Sequence, residues 1–307
     1  MRSVNECFDN VKEDYFKFLN KEKILGKSKA EKIKSLKKIY IPISFWIENK
    51  YRKREKTLFL GLSGSQGSGK TTTANILQII LKKFFKKNIC IISIDNFYKT
   101  LRDRNRMSKQ KHPLFKTRGV PGTHDINLIK NLFISIKKKK FKKIKLPKFN
   151  KSADDRLKKN CWNNINKRPE IVILEGWCVG AKPQASYSLR KPINILERYE
   201  DKDLIWRKYV NEKLKKEYKK IFAMIDYFIF LKVPNFKMVF KWRLLQENKL
   251  RKKSHYKKKI MSYSAIKRFI MFYQRITLQM MKDLSKSASI VLLLKKNHEI
   301  KRVLFRS

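Results

Sequence analysis

A glycine loop set between a strand and a helix constrains this chain more than any other feature. Residues 57–73 read TLFLGLSGSQGSGKTTT. The apolar run Leu58, Phe59, Leu60, Gly61, Leu62 has strand length. Gly64-Ser65-Gln66-Gly67-Ser68-Gly69-Lys70-Thr71 follows, and Ala74, Ile76, Leu77, Ile80 and Leu81 then recur at helical spacing. This is G-x-x-x-x-G-K-[ST] in the strand–loop–helix context that a phosphate-binding P-loop requires. Glycines let successive N–H groups curl inward, and the next helix adds its positive N-terminal end. Lys70 reaches toward the terminal phosphates of a nucleoside triphosphate, and Thr71 offers a hydroxyl to Mg²⁺. Gly64, Ser65, Gln66, Gly67, Ser68, Gly69, Lys70, Thr71 and Thr72 are the expected nucleotide-binding residues. With nine glycines in 307 residues, a chance match with both flanks in place is disfavoured.

The length suits one large α/β domain with an appendage. Charge is the anomaly, since 77 Lys+Arg face 25 Asp+Glu, a formal +52. That excess raises nucleic acid or an anionic membrane face as partners. The lysines are spread along the whole chain, however, including helix faces such as Lys213, Lys215, Lys216, Lys219 and Lys220. They do not gather on one stripe with aromatics or arginines for base contacts. Compositional drift toward Lys, Ile, Asn and Phe is therefore preferred, and no specific nucleic acid or membrane partner is expected. Cys7, Cys90, Cys161 and Cys178 form no C-x-x-C pair, which argues against zinc and redox motifs. The first residues, MRSVNECFDN, have no apolar core of a secretory signal, and no apolar run approaches the roughly 18 residues of a membrane span. The expectation is a soluble, cytoplasmic protein.

Residues 1–56 read as an N-terminal helical extension packed on the core. Phe8, Val11, Tyr15 and Phe18 share one face, Ile33, Leu36 and Ile39 repeat the pattern, and Pro42 opens a further helix. From residue 57 strands alternate with helices. Strands are expected at Asn88–Ile94, Glu170–Leu174, Tyr227–Val233 and Ser289–Leu294, with helices over Ile126–Lys137, Glu197–Phe222, Phe236–Lys249 and Met261–Leu284. Trp177, Trp206 and Trp242 read as core. The pattern predicts a doubly wound α/β sandwich of the P-loop type, with a mainly parallel sheet of about five strands.

Two acids fall where such sheets collect their chemistry, at the carboxyl ends of strands. Asp95 follows NICIISI, and Glu175 follows EIVIL in a Walker-B-like position. No N-K-x-D occurs, which argues against a GTPase, and a helicase-type motor calls for a second ATP-handling lobe. A small-molecule kinase needs a phosphate cradle, a metal acid, a base near the acceptor hydroxyl and cations that close over the transferring group. Lys70 and Thr71 supply the first, Glu175 or Asp95 the second, Asp95 the third, and Arg243 or Arg251 the last. Lys70, Asp95, Glu175 and Arg243 are thus the catalytic candidates, and Thr71, Asp95 and Glu175 the metal ligands. Residues 57–307 become a P-loop kinase domain, with a lid at approximately 243–259.

The ordered motifs GSQGSGKTT, SIDNFY, RGVPGTHD, PKFNKSADDR, ILEGWCVG-x-x-PQ, WRKYVN, WRLLQE and YQRIT resemble the glycerate-kinase family, of the D-glycerate 3-kinase type. Uridine kinase, phosphoribulokinase and bacterial pantothenate kinase are its relatives. The resemblance runs from about Leu58 to the C-terminus, and RG-x-PGTHD and EGW-x-x-G carry it more specifically than the P-loop does. It implies transfer of the ATP γ-phosphoryl group to the 3-hydroxyl of D-glycerate, a base at Asp95, and mobile arginines in a lid. A carboxylate acceptor suits planar arginine, so Arg118 and Arg156 are candidates for it, with His124 and Asp125 available to hydroxyls. As ordinary structure, Arg118 would be a surface arginine in a turn and His124 a brace for the following helix. Asn96 and Asn150 stand where the family commonly shows aspartate, so a charge is lost at each. A nucleoside or pantothenate-like acceptor, a nucleic-acid-binding NTPase, and an ATP-binding relative without catalysis are the competing readings.

Overall fold

The P-loop strand lies inside a six-stranded sheet with partners on both sides. The computed structural model describes residues 3–24, 28–54, 56–253 and 261–306, with the side chains of 249–253 excepted. Helices α1 (Val4–Lys21), α2 (Lys29–Ser35) and α3 (Ile41–Arg52) precede β1 (Leu58–Gly64), α4 (Lys70–Lys83), β2 (Ile89–Ser93), α5 (Leu101–Gln110) and α6 (Ile126–Lys137). Short strands β3 (Ile144–Leu146), β4 (Phe149–Asn150), β5 (Asp155–Arg156) and β6 (Asn163–Ile165) come next, then β7 (Ile171–Gly176). After α7 (Ile195–Tyr199), α8 (Ile205–Lys213) and α9 (Lys219–Phe222), the chain ends with β8 (Tyr227–Lys232), α10 (Phe236–Lys253), α11 (Tyr263–Ser287), β9 (Ile290–Leu294) and β10 (Ile300–Phe305).

The sheet order is β10-β9-β8-β1-β7-β2, parallel throughout except for β10. Period-2 alternation sorts the strands onto two cores. Leu58, Leu60, Leu62, Ile171 and Ile173 face the layer of α1, α3, α4 and α10. Phe59, Val172 and Leu174 face α6, α8, α9 and α11. Gly61 keeps the second face open, since a Cβ there would come within 2.6 Å of the Phe228 ring.

The N-terminal helices belong to the first of these cores. A Ser3–Glu6 capping box starts α1, and Cys7, Val11, Tyr15 and Leu19 are its buried residues. Each such side chain contributes about 2 kcal/mol of burial. The expected face is therefore rotated, with Phe8 and Phe18 on its flanks. Pro42 does not open a separate helix. It sits in the first turn of α3, which continues α2 through a π turn over Leu36–Tyr40. Proline has no N–H to give the carbonyl four residues back, so the wider register, with Ile41 N–H on the Leu36 carbonyl, carries the chain past it.

One further expectation is corrected. The helix read over Glu197–Phe222 is broken at Leu204, whose φ is +62°. There the Asp201 carboxylate caps the new helix by accepting from the N–H groups of Trp206 and Arg207. The five parallel strands expected of the sheet are present, and β10 adds a sixth by returning antiparallel to β9. Lys301 and Arg302 lie on this edge strand, where basic residues are common and discourage further pairing. Trp177, Trp206 and Trp242 are all buried. Among the described residues no helix is long and apolar enough to cross a membrane.

Candidate active site

Parallel register brings the chemistry to one edge of the sheet. Leu62 of β1 and Ser93 of β2 both pair with Glu175 of β7, so Gly64, Asp95 and Glu175 emerge together at the carboxyl ends of adjacent strands. Beyond β1 the chain turns through Gly67 and Gly69, at φ +76° and +90°. These left-handed values are open to glycine and strained for other residues. Gly67 also lies under α10, where an added Cβ would meet Trp242 Cβ at 2.9 Å.

Within the loop, Lys70 Nζ donates to the Ser65 carbonyl at 2.9 Å. Burial draws its pKa below the usual lysine value, opposed by the negative charges of Glu175 and Asp95. Thr71 Oγ1 lies 3.3 Å from Glu175 Oε1. The hydroxyls of Ser63, Ser65 and Ser68 are buried without a hydrogen-bond partner. Buried polar groups are normally satisfied, so the orphaned loop hydroxyls of Ser65 and Ser68, beside a lysine and a helix N-terminus, fit a polyphosphate. A hydroxyl and a carboxylate oxygen side by side suit Mg²⁺, which takes oxygen ligands and relies on few protein groups. Among the described residues no cluster of three His, Cys, Asp or Glu could hold a metal by itself, and Mg²⁺ commonly completes its shell with water and substrate phosphates. Thr72 lies one residue further along α4 and is half-buried.

Asp95 opens a 3₁₀ turn immediately after β2. Tyr98 donates its hydroxyl to Asp95 Oδ1 at 2.9 Å, and Lys151 places Nζ 3.0 Å from Oδ2. Burial pushes the Asp95 carboxyl up. The charge and hydrogen bond of Lys151, with smaller help from His124 and Tyr98, outweigh that and hold it below the usual aspartate value. Tyr98 stays protonated, through burial and then the Asp95 charge, and so remains a donor.

His124 is 1% exposed. It stacks on Tyr98 at 4.5 Å between ring centroids, and its Nδ1 lies 2.6 Å from the Tyr218 hydroxyl. That oxygen accepts from Gly122 N–H at 3.0 Å. Its own proton therefore goes to Nδ1, and the ring proton is assigned to Nε2, which has no partner. Burial lowers the His124 pKa to about 4, against the pull of Asp95, so the imidazole is neutral at neutral pH.

The remaining candidates are already engaged. Arg118 pairs with Asp154 and lies 5.3 Å from the Phe149 ring centroid. Arg156 pairs with Asp125 at 3.0 Å, and Asp125 also caps α6 through Leu128 N–H. Arg243 pairs with Glu247 on its own helix and packs over Phe269. Electrostatically it reaches the Tyr273 phenol, which burial and then Asp95 keep protonated against the pull of Arg118 and Arg243. The side chain of Arg251 and lid residues 254–259 lie outside the described residues. Lys70, Thr71, Asp95 and Glu175 thus converge, whereas Arg118, Arg156 and Arg243 are bound to carboxylates at the periphery.

Sequence reasoning passed over Lys151, Tyr98, Tyr218 and Asp154. Tyr98, three residues after Asp95 in SIDNFY, was in plain view, but Lys151 reaches Asp95 only through folding of the β4–β5 hairpin. Asn96 and Asn150, the two departures, organise that hairpin. Asn96 Oδ1 accepts from Phe149 N–H at 3.3 Å, and Asn150 Oδ1 from the N–H groups of Ser152 and Ala153 at 2.9 and 3.1 Å.

Comparison with known proteins agrees with this geometry. Residues 59–182 match the model of the phosphoribulokinase/uridine kinase family. The uncharacterized kinase mug58 of Schizosaccharomyces pombe is 33% identical over 232 residues, covering 72% of this chain and 81% of that protein. The chloroplastic D-glycerate 3-kinase of Arabidopsis thaliana is 28% identical over 229 residues, which is 69% of this chain and 48% of that longer one. The structure of D-glycerate 3-kinase from Cryptococcus neoformans var. grubii serotype A superposes with a TM-score of 0.73 at 20% identity, over 87% of this chain and 99% of that one, a likeness of fold. With a P-loop facing two strand-end acids, and with these relatives, the chain belongs to the phosphoribulokinase/uridine kinase family of P-loop kinases.

Proposed function

We propose that this kinase transfers the γ-phosphoryl group of ATP to a hydroxyl of a small acceptor, and that the acceptor is D-glycerate. The observation that carries the transfer is the position of Asp95, at the strand end beside Glu175 and across from the P-loop lysine. The loop N–H groups, Lys70 and the free hydroxyls of Ser65 and Ser68 hold the triphosphate. Thr71 and Glu175, with Asp95 as the third candidate, are the protein oxygens for Mg²⁺. When bound, that ion neutralises phosphate charge and aligns the terminal group.

Asp95 is ionised at neutral pH and accepts the acceptor's hydroxyl proton as the phosphorus–oxygen bond forms. Tyr98, locked as a donor, fixes Oδ1, while Oδ2, held by Lys151, is the oxygen that takes the hydroxyl proton once that lysine gives way. His124, neutral with its unpartnered Nε2 as donor, is the candidate to hold a further acceptor oxygen, with Asp125, Arg118 and Arg156 the other candidates for the acceptor site. Arg243 is the described candidate for closing over the transferring group.

The choice of glycerate is supported by the 28% identity with the Arabidopsis enzyme. The test is coupled ADP release over a panel of hydroxy acids, nucleosides and pantothenate. Glycerate-dependent turnover is expected. Turnover on another member alone keeps the kinase and replaces the acceptor. ADP release stimulated by RNA or DNA and by no small acceptor refutes the small-molecule reading.

A further inference from the structure

We infer that Lys151 is the acceptor's anion ligand, and that the site selects a short hydroxy acid whose carboxylate replaces Asp95 as the partner of this lysine. This rests on the phosphotransfer reading above.

The cations first suited to an acceptor carboxylate are already engaged by carboxylates away from Asp95. Arg118 is held by Asp154 and Arg156 by Asp125. Arg104, 0% exposed, is bound to Asp154 and to the carbonyls of Lys99 and Lys116. Lys151 differs. Its side chain is 67% exposed, and its acid partner is Asp95, the group the transfer needs for a proton.

The hairpin beneath it is firmly built. Asn96 and Asn150 fix its backbone, Asp155 Oδ1 accepts from Leu101 N–H at 2.9 Å, and Asp154 is clamped by Arg104 and Arg118. A rigid base carrying one long, exposed cation is suited to reach a ligand without reordering the loop.

The spacing sets the ligand class. Nζ lies 3.0 Å from Asp95 Oδ2. A ligand that presents a hydroxyl to Asp95 and an anion to Lys151 must carry the two only a few bonds apart. A three-carbon hydroxy acid does so, whereas in a nucleoside the reactive hydroxyl has no neighbouring anion. Moving Lys151 from Asp95 to the substrate carboxylate keeps the ammonium paired and frees the second carboxylate oxygen for the hydroxyl proton.

The experiment compares the wild type with Lys151→Gln and Lys151→Arg, using D-glycerate and its uncharged methyl ester as acceptors. A charge-assisted hydrogen bond predicts that Lys151→Gln raises KM for D-glycerate about tenfold to hundredfold. KM for ATP and for the ester should stay within about twofold, and Lys151→Arg should recover part of the loss. The exposed position makes a folding failure unexpected, and equal melting temperatures verify that.

An unchanged KM for D-glycerate in Lys151→Gln overturns the inference, as does an equal loss on acid and ester. A fall in kcat alone also overturns it and assigns the lysine to the transferring phosphoryl group. If the wild type uses another hydroxy acid instead, the glycerate reading fails while the same variants, scored on that acid, still decide the inference. A wild type that phosphorylates no carboxylate-bearing acceptor overturns it outright.

Discussion

Acid should weaken this protein through one histidine. His124 is buried between Tyr98 and Tyr218, and its pKa falls to about 4 from an ordinary 6.5. Between those values the unfolded chain binds a proton that the folded chain refuses. Stability therefore rises with pH through the window and is lost as pH falls from about 6.5 toward 4. At roughly 1.4 kcal/mol per pH unit, the gap amounts to about 3 kcal/mol, a large share of the 5–15 kcal/mol typical of a domain. Protonation would also put a second donor against Tyr218, whose oxygen already accepts from Gly122 N–H. The assay is urea unfolding at several values between pH 7.5 and 4 for the wild type and His124→Gln. Other groups titrate in both proteins and cancel in the difference, so the variant's stability should fall by about 3 kcal/mol less across the window. Parallel curves refute the reasoning, and so does an NMR titration in which the His124 ring protonates near 6.5.

Asp95→Asn should lower turnover by about a hundredfold to ten-thousandfold while nucleotide affinity, measured by calorimetry, holds; wild-type-like turnover removes Asp95 as the base. Glu175→Gln should raise the Mg²⁺ concentration needed for half-maximal activity by about tenfold and leave metal-free nucleotide binding intact, so an unaltered Mg²⁺ titration counts against the ligand assignment. Arg104→Leu leaves the main-chain carbonyls of Lys99, Lys116 and Asp154 without their guanidinium donor around a fully buried site, while the Asp154 carboxylate keeps Arg118. Urea unfolding should show a loss of about 3–5 kcal/mol, and a loss below about 1 kcal/mol would show that the hairpin does not depend on it.

The parts of the molecule legible in the sequence were those whose signal is local. A glycine turn followed by Lys70-Thr71, and acids at the ends of apolar strands, are contiguous patterns, and the structure has Lys70, Thr71, Asp95 and Glu175 along one sheet edge. Partnerships spanning the chain were not legible. Arg118 and Arg156 looked free because Asp154 and Asp125 reach them only after the arm between α6 and β7 folds back. Lys151, in a loop rich in lysine, carries no mark of its 56-residue reach to Asp95. Helical continuity misled in its own way. Residues from Glu197 to Phe222 keep helical spacing across Leu204, but the capping carboxylate of Asp201 outweighs it. In β10 the alternation was masked by charge, which an edge strand tolerates and a central strand does not.

The glycine loop is usually thought of as the supple part of such a site, but its root is not. All seven residues of β1 are buried, and it is laddered on one side to β7 and on the other to β8. Amide protons of Leu60 and Leu62 can reach solvent only when the central sheet parts, so their exchange will report the global opening reaction, while exchange at Gly67 and Ser68 reports local motion. The capacity to grip a nucleotide is then tied to the survival of the whole sheet. On heating, nucleotide binding will disappear in the same step as the near-ultraviolet signal of the buried tryptophans, with no temperature at which a folded chain has an unmade P-loop.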